Sequence, residues 1–361
     1  MKTSLNGRAA GFTLVELLVV IGIIALLISI LLPSLNKARA AANTVACLAN
    51  LRSLGQAMAI YSTENKGAIP GSPHTTGRNL WRVTGTAYSN TFLWNTNPGP
   101  ALEFFDFYGP LASLTGTKLP ARTNNGERWN DYRQVKSFRC PSAADMLSIS
   151  GSGTYDVGAG PVNTYVSALS FMLMPYASMP SASFNGSTSD MNGRLRMNDA
   201  PYWVLPGGYS PKVSKVGPAS RKVYIADGLR VYRYNRPPTY YLFTDQDYTN
   251  SNFTDYGPFW GFSRSWDRQV YLGTQNGYDG RVLSFRHGTT KSGQKAGVYR
   301  MNMVFFDGHA ENMAEMDACN PEMWVPRGTT MSNTSAGTGG VNYIAADVKV
   351  HYNMPTNWTA P

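Results

Sequence analysis

The stretch GFTLVELLVVIGIIALLISILLP, residues 11–33, decides how the rest of the chain is read. Phe12 to Leu32 gives 21 nearly all-apolar residues. As a helix rising about 1.5 Å per residue, that run is about 30 Å long, the thickness of a bilayer core. Lys2 and Arg8 precede it and favour an amino terminus held on the cytoplasmic side; Lys37 and Arg39 follow it. Glu16 is the anomaly. A charged side chain in a membrane segment costs about 2.5–3.5 kcal/mol at the helix centre on insertion scales, so its presence asks for a purpose.

Two plainer readings account for the apolar run but not for Glu16. One is a cleaved secretory signal, for which Ala38-Arg39-Ala40 imitates a small-x-small cleavage site. The apolar run beyond Glu16, however, exceeds the usual 7–15 residues of a signal core. The other is a plain membrane anchor.

Gly11-Phe12, Thr13-Leu14, Glu16 four residues past Phe12, and Pro33 at the end of the run together resemble the leader of type IV pilins and type II secretion pseudopilins. The resemblance implies that a prepilin peptidase cuts after Gly11 and methylates the new amino terminus on Phe12. It implies that Glu16 is the assembly carboxylate. Physics supplies a reason: cleavage places a fresh ammonium about one helical turn from Glu16. In a stack of subunits the ammonium of one helix can meet the carboxylate of its neighbour and set the register of otherwise slippery helices. Pro33 removes one helical hydrogen bond and loosens the helix beside it.

Beyond Pro33 the apolar positions Leu35, Ala38, Val45, Leu48, Leu51, Leu54, Met58 and Tyr61 keep close to a 3.6-residue spacing, until Gly67 and Pro70 end the pattern. The expected layout is a leader (1–11), a transmembrane and assembly helix (12–33), its amphipathic continuation (34–66), and a β-rich globular head (67–361). The fold class is α+β and pilin-like, a long amino-terminal helix packed on that head. Composition agrees with a substantial core: 43% of the 361 residues are hydrophobic and 15% charged, with a formal net charge of +10. Strands are expected at 222–226 (KVYIA), 281–285 (RVLSF) and 301–306 (MNMVFF). YIADG (224–228) and VFFDG (304–308) echo each other.

In the head, Asp307-Gly308 reads as a two-residue type I′ turn between a strand ending at Phe306 and one starting at His309. With Arg286-His287 upstream, the region 281–314 resembles the His-x9-Asp-Gly tail of a large set of bacterial prepilin-type proteins. FRCPS (138–142) and the segment 47–70 are similar to that set as well. Nineteen residues, not nine, separate His287 from Asp307, so the loop 288–299 is enlarged. His287, Asp307 and His309 are suitable metal ligands by type, although a turn aspartate commonly satisfies its own backbone. Asp245 and Asp247, in TDQDYTNSNFTD (244–255), are candidate calcium ligands in a stretch that lacks the EF-hand glycine and closing glutamate. Otherwise no cofactor is expected. Of the three cysteines, Cys47 and Cys140 are expected to pair as a disulfide.

The basic run 281–300 and the acidic one at 307–322 suit complementarity between subunits better than nucleic-acid binding. No catalytic motif is present: neither G-x-S-x-G, nor a phosphate-cradling glycine loop, nor H-E-x-x-H. The expected function is therefore structural and not enzymatic, a subunit of a pilus-like filament. The first reading is a type II secretion pseudopilin. Alternatives are a type IV pilus subunit for adhesion, motility or DNA uptake, and a membrane-anchored metal-binding or enzymatic head. The partners implied by the resemblance are the prepilin peptidase, other pilin-like subunits and an inner-membrane assembly platform. The implied location is the bacterial inner membrane, with a cytoplasmic amino terminus and a periplasmic head.

Overall fold

The computed structural model describes residues 13–72, 106–122, 125–143, 162–172, 203–229, 231–233, 239–240, 254–261, 263, 265–266, 268, 270–271, 278–288, 296–332 and 344–361. Gly11, Phe12, Asp245 and Asp247 lie outside them. The chain forms two compact units, residues 1–43 and 44–361.

One helix, α1, runs from Leu14 to Glu64 and contains Pro33. It is long and apolar enough to cross a membrane, and none of its most apolar window is buried. Burial begins in the second unit, at Cys47, Leu51, Leu54, Gly55, Ala57, Met58 and Ser62. These positions recur at three and four residues and so share one face. The stripe expected from Leu35 onward thus starts later: Leu35 and Val45 are exposed. The helix ends where Gly67, at φ +80°, donates its N–H to the carbonyl of Ser62 at 2.7 Å, a glycine stop that satisfies a terminal carbonyl.

The buried face of α1 packs on a five-stranded sheet. In spatial order the strands are Ala310–Ala314, Arg300–Phe305, Val223–Asp227, Tyr165–Ala168 and Thr254–Asp255. All pairs are antiparallel except the last, which is parallel. The α+β class expected from the sequence is therefore observed: a long apolar helix followed by a mixed sheet. Val223–Asp227 is buried along its whole length, as a central strand covered on both faces must be. Contact with the helix is close at Gly55, where an added Cβ would lie 2.6 Å from Cγ2 of Val304. Only glycine lets helix and strand approach so nearly. A smaller sheet joins Trp203–Val204, Thr330–Ser332 and Asn357–Thr359.

Two sequence expectations change. RVLSF is not a strand: Arg281–Ser284 is a short helical turn, since a brief apolar run bounded by glycine fits either state. The hairpin at Asp307-Gly308 is real but its turn is longer. The N–H of Gly308 bonds to the carbonyl of Phe305 at 2.9 Å, and that of Phe305 to the carbonyl of His309 at 2.9 Å. Gly308 has φ +88° and Asp307 does not have a positive φ. This is a three-residue loop closed by a glycine bulge, in which only the last position needs the left-handed region.

Candidate functional site

At the start of α1, Thr13 and Glu16 cap each other. The Thr13 N–H and hydroxyl donate to Oε2 of Glu16 at 2.9 and 2.8 Å, and the Glu16 N–H reaches Oγ1 of Thr13 at 3.3 Å. This reciprocal T-x-x-E arrangement satisfies helix-start donors that otherwise lack partners. It gives Glu16 a local role that the sequence reading missed, although the spacing was there to see. Both residues are exposed, so the carboxylate remains open to a further partner.

The head gathers a different set of residues from the expected trio. Asp307 and His309 stay together on the exposed hairpin: Nδ1 of His309 meets Oδ1 of Asp307 at 2.5 Å, and the ring stacks on Phe305 at 4.2 Å. His287 is not with them. Its backbone N–H bonds to the carbonyl of Arg300 at 2.9 Å. That is the far end of the Arg300–Phe305 strand, whose length of about 16 Å separates it from the turn.

His287 instead meets Cys47, Cys140 and Asp227 in a buried cluster, one ligand-type atom from each lying within 4.8 Å of the others. Four separate parts of the fold deliver them. Cys47 comes from the buried face of α1. Cys140 follows the helical turn Lys136–Phe138 and is fixed by its N–H to Oγ1 of Thr164 at 2.6 Å. Asp227 ends the central strand, opposite Tyr165. His287 follows the Arg281–Ser284 turn.

Within the cluster Cys47 Sγ lies 3.3 Å from Oδ1 of Asp227. Nε2 of His287 lies 2.9 Å from Oδ2 of Asp227 and 3.3 Å from Cys140 Sγ. Nδ1 of His287 faces Oγ1 of Thr44 at 3.1 Å. Tyr165 OH approaches Cys47 Sγ at 3.4 Å, and the Asn302 N–H donates to Oδ2 of Asp227 at 3.0 Å. Cys47 and Cys140, expected to pair, are brought together in this cluster, where both stand as free cysteines. Each sulfur is engaged by a polar neighbour, Cys47 by Asp227 and Cys140 by His287.

The electrostatics are tightly linked. Burial disfavours charge on Asp227, but the His287 and Arg286 cations beside it hold its carboxyl below the usual range. Burial likewise opposes the His287 imidazolium, yet the Asp227 carboxylate raises it to about 9. Cys140, pushed up by burial, is brought down to about 6 by hydrogen bonds from Cys47 and His287, while burial drives Cys47 well up. Arg286 is buried, and among the described residues none of its three guanidinium nitrogens has a hydrogen-bond partner. Asp227 is the residue that sequence reading did not single out; the echo of YIADG with VFFDG was the available signal.

The described cations of the basic run turn inward. Arg281 binds Asp279 at 2.8 Å and lies 3.6 Å from Glu315, and Arg300 Nε donates to Asn312 Oδ1 at 2.5 Å. Asp255, the last acid of the proposed calcium stretch, is buried and accepts from the Ser265 N–H at 2.8 Å and the Ser263 hydroxyl at 3.2 Å.

No curated protein and no solved structure matches the chain. Residues 6–32 match the prokaryotic N-terminal methylation motif, which covers Gly11, Phe12 and Glu16. The apolar helix that follows suits membrane anchoring, and together they give the chain the amino-terminal signal of a type IV pilin-like subunit.

Proposed function

We propose that this chain is a subunit of a pilus-like filament, processed at Gly11-Phe12, and that the filament is a type II secretion pseudopilus. The observation that carries the reading is α1 itself: an apolar half that no described residue buries, beginning at an exposed carboxylate. Monomeric soluble proteins rarely expose an apolar surface of that extent. Lipid covers it before assembly and neighbouring helices after it. The bulk of the unit 44–361 favours a minor or tip position over a close-packed shaft.

The capping arrangement sharpens the test of Glu16. Glutamine can take the glutamate's place in a capping box but carries no charge. If pairing with a neighbour's ammonium sets the register, Glu16→Gln should be inserted and processed normally, with an N-methylated Phe12 at its start by mass spectrometry, yet should fail to enter sheared filaments. Wild-type filament yield from processed Glu16→Gln would reduce Glu16 to a helix cap. A mature chain starting near Ala41 would establish an ordinary secretory signal instead.

A further inference from the structure

We propose that Cys47, Cys140, Asp227 and His287 form a closed four-ligand site for a zinc-class divalent ion that ties α1 to the sheet. The proposal concerns the head alone and does not depend on filament assembly. A tetrahedron with bonds of about 2.0–2.3 Å has edges of about 3.3–3.8 Å. The observed separations are 3.3 Å (Cys47–Asp227), 3.3 Å (Cys140–His287) and 2.9 Å (His287–Asp227). These three of the six edges fall at or just below that range and the other three are no longer than 4.8 Å, so small adjustments of the side chains would admit an ion. Two thiolates, an imidazole and a carboxylate are a donor set that suits zinc, and four protein ligands leave no open position for a substrate.

Three further observations point the same way. Thr44 Oγ1 lies 3.1 Å from Nδ1 of His287 and so aims Nε2 into the cluster, the orienting role that an outer-sphere partner plays for a ligating histidine. Cys140 and Asp227 both approach that same nitrogen. A nucleophile–base–acid relay would place the carboxylate on the opposite ring nitrogen from the thiol; convergence on one nitrogen describes ligands around a point. Finally, the charges balance. Two thiolates and one carboxylate around a divalent cation leave one negative charge, and the buried guanidinium of Arg286, without a hydrogen-bond partner among the described residues, supplies one positive. Binding releases to solvent the protons carried by the thiols and the imidazolium.

The test uses the full chain in detergent, reduced and free of chelator, with its thiols counted. Elemental analysis after zinc addition and desalting should give one zinc per chain. Cobalt in its place should give the intense visible bands of a tetrahedral site together with thiolate-to-cobalt charge transfer. Cys140→Ser should roughly halve that charge transfer, and Thr44→Val should weaken zinc binding by about 10–100-fold. If either variant fails to fold, the cobalt spectrum of the unaltered chain still decides. Free thiols with no bound zinc, or an octahedral cobalt spectrum, would overturn the proposal. So would a Cys47–Cys140 disulfide in chain taken from its own cells with thiols blocked at lysis.

Discussion

Residues 14–43 and 44–64 belong to one unbroken helix, yet they differ in what covers them. In the first part leucine, isoleucine and valine lie exposed on every side; in the second a single face is buried to completion at Cys47, Leu51, Leu54 and Met58. Local helix chemistry is the same in both. The difference lies in distribution: an apolar surface all round calls for a partner all round, whereas a stripe is satisfied by one sheet. The helix therefore carries two separate packing instructions, one answered within the chain and one addressed to lipid or to other subunits.

Truncation should separate the two parts most clearly. Leu54→Ala should destabilise the head by about 2–5 kcal/mol, from lost burial plus the cavity left behind. It can be read by denaturant unfolding of the full chain in detergent, with fully buried Trp266 and Trp324 as reporters. Leu18→Ala should stay within about 0.5 kcal/mol of the parent in the same assay. Equal effects would break the comparison. Gly55→Ala should cost about 1–3 kcal/mol, because its Cβ meets Val304; Gly22→Ala, where nothing lies within 4 Å, should not destabilise the head.

A further comparison concerns how dry the head is. Burial lowers Lys222 to about 8, although Glu322 favours its charge, and its Nζ donates to the Glu322 carbonyl at 2.7 Å. A base whose folded value is depressed binds fewer protons folded than unfolded, so stability rises with pH between the two values. The parent should gain stability relative to Lys222→Met between about pH 8 and pH 10.4. A pH-independent difference would show that Lys222 is fully hydrated.

Much of this was legible in the sequence. The membrane-length run, the helix stop at Gly67 and the strands at 223–227 and 300–305 follow from periodicity and punctuation that act locally. The stripe on α1 was placed too early because Leu35 and Val45 keep the spacing without having a surface to meet. RVLSF misled because a five-residue stretch carries too little periodicity to separate strand from helical turn. The buried cluster lay beyond local reading. Its members are spread from position 47 to position 287, and only the sheet register and the helix docking bring them together. His287 was noticed, but it was linked to Asp307-Gly308 downstream instead of to Asp227, which ends the strand Val223–Asp227.

The close seating of Gly55 against Val304 also sets a schedule. The helix face that includes Leu51, Leu54 and Met58 is made about 250 residues before the strand that covers it. At about 5–20 residues per second, synthesis leaves that face without its native cover for about 12–50 s. Hydrophobic collapse takes at most about 100 μs for chains of moderate length, so non-native burial has ample time to compete. A newborn chain of this kind depends on being held open until its later strands arrive. Shortening the head between residues 70 and 300 would change how quickly it matures before it changed how stable it is.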